Sequence, residues 1–186
     1  MRLFIAIELD ETTRAAIAAE QQRVVRALGD SARSLKVVRA DHMHLTLVFI
    51  GEVAEDRAQR IVEAMGRSVP LAPFVMEFGG LGVFPPHGAP RVLWIGVAEG
   101  AARAVELQAA VADRLAPLGV EKEARPFRPH LTLARWRDGR RSDRPRLSEP
   151  MTTVARTRVE VVTLYQSRLS SAGPTYTALA RTALAT

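Results

Sequence analysis

Cysteine is absent from all 186 residues, which removes disulfides, thiolate nucleophiles and cysteine zinc sites and permits a cytoplasmic address. Lysine is nearly absent. Of 26 basic residues only Lys36 and Lys122 are lysine, so arginine carries the positive charge. No apolar run reaches the roughly 18 residues that would span a bilayer, so no membrane association is expected. The apolar opening at residues 3–7 is cut short by Glu8 and Asp10 and reads as a buried first strand, not a signal peptide. There is no HExxH pattern, and no metal or cofactor is expected.

With 47% hydrophobic and 25% charged residues, the chain can bury a sizeable core and reads as one domain over residues 1–186. The net charge of +6 favours a polyanionic partner such as nucleic acid, because basic surface attracts phosphates at long range.

Strands and helices alternate along the chain. RLFIAIEL reads as a strand, after which Asp10 can cap a helix carrying Ile17, Val24, Val25 and Leu28 until Gly29 ends it. Residues 44–50 (HLTLVFI) read as a strand, followed by a helix bearing Val53, Ile61, Val62 and Met65. Residues 79–90 hold so many glycines and prolines that a loop is expected. The pattern then restarts with a strand at residues 91–97, a helix over 101–118, the strand HLTLARW, an arginine-rich stretch, and strands over 153–164 and 175–180. The class is α/β or α+β.

The tetrapeptide HLTL occurs twice, at His44 and at His130. On a strand, residues i and i+2 share a face, so His44 lies beside Thr46 and His130 beside Thr132, while the four leucines point into a core. Hydroxyls can donate to non-bridging phosphate oxygens, and imidazoles can shuttle protons near neutral pH. A lone strand histidine is more often structural; two identical His-Thr pairs suit an in-line phosphoryl displacement, which needs a base and an acid on opposite sides. His42 and His87 lack the threonine partner and read as bystanders, although His42 shares strand parity with His44. A metal hydrolase using His42, His44 and His130 is the competing chemistry.

These motifs, with RLFIAIEL, HLTLVFIGEV, GVFP, PRVLWIGV, RPFRPHLTLAR and LYQSRLSSAGPTYTAL around them, resemble the two-histidine (2H) phosphoesterase superfamily. Within it they resemble the RNA 2′,3′-cyclic phosphodiesterases, historically called 2′-5′ RNA ligases. The resemblance implies a bilobal α+β fold of two pseudo-symmetric antiparallel sheets, helices outside and a central groove, each lobe supplying one His-x-Thr-x strand. It implies an enzyme acting on RNA with 2′,3′-cyclic phosphate ends, with His44 as proton donor, His130 as proton acceptor and Thr46 and Thr132 holding phosphate oxygens. The lack of cysteine and of a metal-ligand motif makes metal independence the expectation, and a monomer is expected. The reverse reaction would be 2′-5′ ligation with a 5′-hydroxyl. The family pattern also includes Arg135 as a phosphate or nucleotide contact, yet strict alternation from His130 puts Arg135 with the core leucines. Phe49 holds the matching place after His44, and both side chains can stack on a base. Arg135, Arg137, Arg140, Arg141, Arg144 and Arg146, interleaved with Trp136, form either an RNA-binding stretch or a solvated loop. The motifs leave open a small cyclic nucleotide or a 2′-5′ oligonucleotide as substrate, and a non-catalytic RNA-end binding protein.

Overall fold

The structure, a computed structural model, describes residues 1–147, 152–171 and 173–185. Strand β1 (Arg2–Glu8) is buried on both faces from Leu3 to Ile7, as its continuous apolar run requires. Helix α1 (Glu11–Leu28) starts where the Asp10 carboxylate accepts from the Thr13 N–H at 2.7 Å. Such a cap satisfies a backbone donor the helix leaves unpaired. Next come β2 (Leu35–Val37) and β3 (His44–Glu52), the strand of the first HLTL. Helix α2 (Glu55–Ala64), β4 (Val69–Pro70), β5 (Phe74–Phe84) and β6 (Val92–Val97) follow. Helix α3 (Ala101–Leu115) leads to β7 (His130–Trp136), which carries the second HLTL. Strands β8 (Thr153–Val159), β9 (Val161–Ser170) and β10 (Gly173–Ala185) complete the chain.

These strands form two five-stranded sheets, ordered β3-β1-β9-β10-β4 and β2-β7-β6-β5-β8. Every pairing is antiparallel except β10 with β4. The α+β bilobal architecture is therefore observed, with one HLTL strand in each sheet. The sheets are not the two halves of the sequence. The first takes its strands from both chain ends, and the second takes β2 and β5 from the N-terminal half. The units β1-α1-β3 and β6-α3-β7 nonetheless match, since in each a strand, a helix and an HLTL strand follow one another and the two strands pair. Their helices are exchanged: α1 packs on the second sheet at β8, and α3 packs on the first at β3 and β4. Leu45, Leu47, Leu131 and Leu133 are all buried, so the leucines of both motifs build the core.

Three local expectations change. The glycine-rich stretch expected to be loop from residue 79 is strand as far as Phe84. A Cβ at Gly82 would sit 1.9 Å from the Trp94 ring, so glycine here admits an indole lying across the strand. Val53 precedes α2 instead of sitting on it, its N–H donating to the Met1 carbonyl. The strand expected over 153–164 is two strands meeting at Glu160.

Candidate active site

Both HLTL strands carry a β-bulge at the same place. In the first sheet Ala6 pairs with Thr46 but Ile5 pairs with Val48, so Leu47 is an extra residue. In the second, Trp94 pairs with Thr132 but Leu93 pairs with Ala134, so Leu133 is extra. A bulge shifts the alternation by one. Leu47 and Val48 are consecutively buried, as are Leu133 and Ala134. Beyond the bulge Phe49 is 58% exposed and Arg135 is also exposed, each returned to the face of its own histidine and threonine. The conflict between Arg135 and strict alternation is resolved by this extra residue.

The second bulge is tied down. The carbonyl of Leu133 accepts from the Val38 N–H at 2.8 Å and from Gln21 Nε2 at 2.7 Å; the same amide nitrogen reaches the Val38 carbonyl at 2.8 Å. Gln21 is buried on α1.

His44 sits among aromatic rings. Phe4 stacks on it at 4.9 Å between centroids, Tyr176 meets it edge-on at 5.4 Å, and Tyr165 lies at 6.4 Å. Burial lowers the His44 pKa to about 4, against a backbone hydrogen bond at His42 that raises it; the charge of His42 lowers it further. His42 itself packs on Tyr176 at 5.0 Å, so it joins the surroundings of His44 and is no bystander. Tyr165 donates to Glu8 at 2.6 Å, which fixes its ring beside Phe4.

His130 has a different cage. Phe84 meets it edge-on at 5.1 Å and Trp94 lies at 6.1 Å. Its Nδ1 lies 2.7 Å from the Arg128 carbonyl. A carbonyl can only accept, so Nδ1 carries the proton there and a neutral ring presents an unprotonated Nε2.

Among the described residues the Thr46 and Thr132 hydroxyls have no hydrogen-bond partner, which leaves both free to donate to a ligand. The two motif strands lie against each other. The Tyr176 ring touches His44, and burial raises its pKa against the charge of Arg135 on the other sheet, which lowers it. The rings Phe4, Phe84, Trp94, Tyr165 and Tyr176 escaped the sequence reading because each stands on a different stretch of chain. The quoted flanks RLFIAIEL, GVFP, PRVLWIGV and LYQSRLSSAGPTYTAL contained all five.

The arginine-rich stretch divides. Trp136 is buried, donating to the Ser31 carbonyl at 2.8 Å, so it is core and not a base platform. Arg144 donates to the carbonyls of Gly88 at 2.9 Å and Pro85 at 2.6 Å. Arg137, Arg140, Arg141 and Arg146 are exposed. Among the described residues His87 makes no ring contact in the groove. Among the described residues no three His, Asp or Glu side chains gather as metal ligands. Cavities of about 720 and 310 Å³ lie on the α1 side of the second sheet, and neither is lined by a motif residue.

Two sheets that each present a His-x-Thr pair on facing strands have the layout of a two-histidine phosphoesterase. The model of the 2′-5′ RNA ligase superfamily matches residues 12–169, and the chain belongs to that family. A Thermus thermophilus protein named RNA 2′,3′-cyclic phosphodiesterase is 38% identical over 99% of this chain and 90% of its own length. A protein of the same name from Archaeoglobus fulgidus is 36% identical over 73% of this chain and 72% of its own. Among solved structures, a Thermus thermophilus protein superposes with a TM-score of 0.77 at 32% identity, covering 99% of this chain and 98% of that one. E. coli LigT complexed with 3′-AMP gives 0.75 at 28% identity, covering 100% and 98%.

Proposed function

We propose that this protein is an RNA 2′,3′-cyclic phosphodiesterase that opens cyclic ends to 2′-phosphomonoesters without a metal, with His44 as general acid and His130 as general base. The observation that supports the reading is that β3 and β7, the two strands carrying HLTL, lie against each other, with Tyr176 on His44. The relatives' shared name supports the substrate class.

His130 Nε2 takes a proton from water as the water oxygen bonds to phosphorus. The bond from phosphorus to the 3′ oxygen breaks, and His44 supplies the proton that oxygen needs. Thr46 and Thr132 donate to the two non-bridging oxygens, and the strained ring lowers the barrier left to the protein. Phe49 and Arg135, exposed beyond the bulges, flank the terminal base. With a 5′-hydroxyl in place of water the product is a 2′-5′ linkage. The enzyme acts as a cytoplasmic monomer.

The test is incubation with RNA ending in a 2′,3′-cyclic phosphate in EDTA, with product positions assigned. A 2′-phosphate formed at full rate is expected. Binding without turnover, or loss of opening that one divalent metal restores, would overturn the reading.

A further inference from the structure

Across the first sheet Arg2 pairs with Ser167 on β9, and Ser167 pairs with Tyr176 on β10. Directly paired residues share a face, so these three stand in one row about 10 Å long, two strand spacings. It is the groove face, because Phe4 stands two residues along from Arg2 and stacks on His44. Arg135 is exposed on β7, which packs against β3 of this sheet. Burial raises the Tyr176 pKa, and the charges of Arg135 and Arg2 oppose that rise.

Arg2 and Arg135 have no ion pair among the described residues. Glu52, the cross-strand neighbour of Arg2, instead faces the amino-terminal nitrogen at 3.6 Å. The Ser167 and Tyr176 hydroxyls likewise have no hydrogen-bond partner among the described residues. Two unpaired guanidinium groups and two free hydroxyls on one wall form a donor set suited to a phosphate diester. The Tyr176 ring meets the His44 ring at 5.4 Å, so this set stands beside the reacting centre and not in it.

We propose that Arg2, Ser167 and Tyr176, with Arg135 across the groove, bind the internucleotide phosphate next to the cyclic end, making the enzyme prefer strands to mononucleotides. This rests on the phosphodiesterase reading above. The backbone of the strand leaves the groove along β1 toward Arg2. The arginine-rich stretch after β7 then meets only longer RNA.

The experiment compares three probes: a 2′,3′-cyclic mononucleotide, a dinucleotide with a 2′,3′-cyclic end, and the same dinucleotide with an uncharged methylphosphonate linkage. The native protein should show kcat/KM roughly tenfold higher for the charged dinucleotide than for the methylphosphonate, the scale of a charge-assisted hydrogen bond at a half-open site. Arg2→Gln should erase most of that difference through KM and leave mononucleotide turnover as it was. Tyr176→Phe, which keeps the ring on His44, should erase part of it. Equal turnover of the two dinucleotides by the native protein, or an equal loss on all three probes in Arg2→Gln, would overturn the subsite. Failure to hydrolyse all three cyclic-ended probes would strike the phosphodiesterase reading instead. Binding of the charged and uncharged dinucleotides carrying a 2′-phosphate end, measured by calorimetry, then still decides the subsite: tighter binding of the charged one supports it and equal binding overturns it.

Discussion

The two motifs share four residues and a bulge, yet the lobes around them treat their histidines differently. His44 is enclosed by Phe4, Tyr165 and Tyr176, and burial holds its pKa at about 4. His130 has Phe84 and Trp94 on its flanks and its Nδ1 fixed on the Arg128 carbonyl. The difference teaches how a repeated sequence divides labour. A ring whose Nδ1–H is pinned presents an Nε2 lone pair and suits the base. A desolvated ring resists protonation on its own, so the anionic phosphate that enters must draw a proton in with it. Once protonated in that setting it is a strong acid beside the leaving oxygen.

The sharpest way to break the comparison is to remove one histidine at a time. His44→Ala and His130→Ala should each lower turnover by roughly 10²–10⁴, the usual scale for a positioned acid or base. The double variant should lose far less than the product, since either removal already disables the concerted step. Thr46→Ala and Thr132→Ala should be milder and weaken binding as well. Near-native turnover in a folded His44→Ala protein would end the two-histidine mechanism and reopen His42.

Much of this was legible in the sequence, because HLTL alternates visibly and its leucines had to face a core. The face taken by Phe49 and Arg135 was not, since a bulge is one extra residue in a pairing and leaves no mark on a single strand. The exchange of α1 and α3 between sheets was equally hidden, because periodicity shows which stripe of a helix is buried and not which sheet buries it. The glycines of β5 misled for a definite reason: Gly82 reads as a turn residue until the Trp94 ring is seen lying over it.

The next largest effect concerns acid stability and should be confined to the first lobe. The unfolded chain takes up a proton on His44 near pH 6.5, whereas the folded chain does so only near 4. Between those values the unfolded state binds more protons, so stability falls as the pH falls. Two and a half pH units correspond to on the order of 3 kcal/mol, complete by about pH 4. Chemical denaturation of native protein and His44→Gln across this window should show the dependence shrinking in the variant. Sulfate, an anion that does not titrate there, should raise the His44 pKa when followed by NMR. Identical pH dependence of the two proteins would show that the aromatic enclosure does not govern His44.

Gln21 sharpens the comparison from the other side, because it braces the second bulge alone. Gln21→Leu removes the amide that donates to Leu133 and Val38. Leu133 keeps the Val38 N–H, so the expected cost is about 1–2 kcal/mol. Arg135 should then be less firmly held on the groove face, raising KM more than it lowers kcat. A variant as stable as the native protein, with unchanged KM, would show that the bulge needs no brace.

The smallest effect separates the segments that follow the two motifs, which have opposite charge. Glu52 and the first turn of α2, with Glu55 and Asp56, follow the first; Arg137, Arg140 and Arg141 follow the second. Beyond the phosphate held at Arg2, longer RNA should therefore turn to the second lobe and not to the acidic segment after the first motif. Its phosphates release counterions as they are neutralised, so each arginine engaged adds about 0.7 to the slope of log affinity against log salt. Arg140→Ala with Arg141→Ala should flatten that slope for long RNA and leave a cyclic mononucleotide unaffected. Arg144→Ala should behave otherwise. Its guanidinium already serves the carbonyls of Gly88 and Pro85, so its loss should cost about 1 kcal/mol of stability with little change in slope. If Arg144→Ala flattens the slope as much as the other pair, the division of this stretch into a bound arginine and free ones is wrong, and the whole segment acts as one RNA-binding surface.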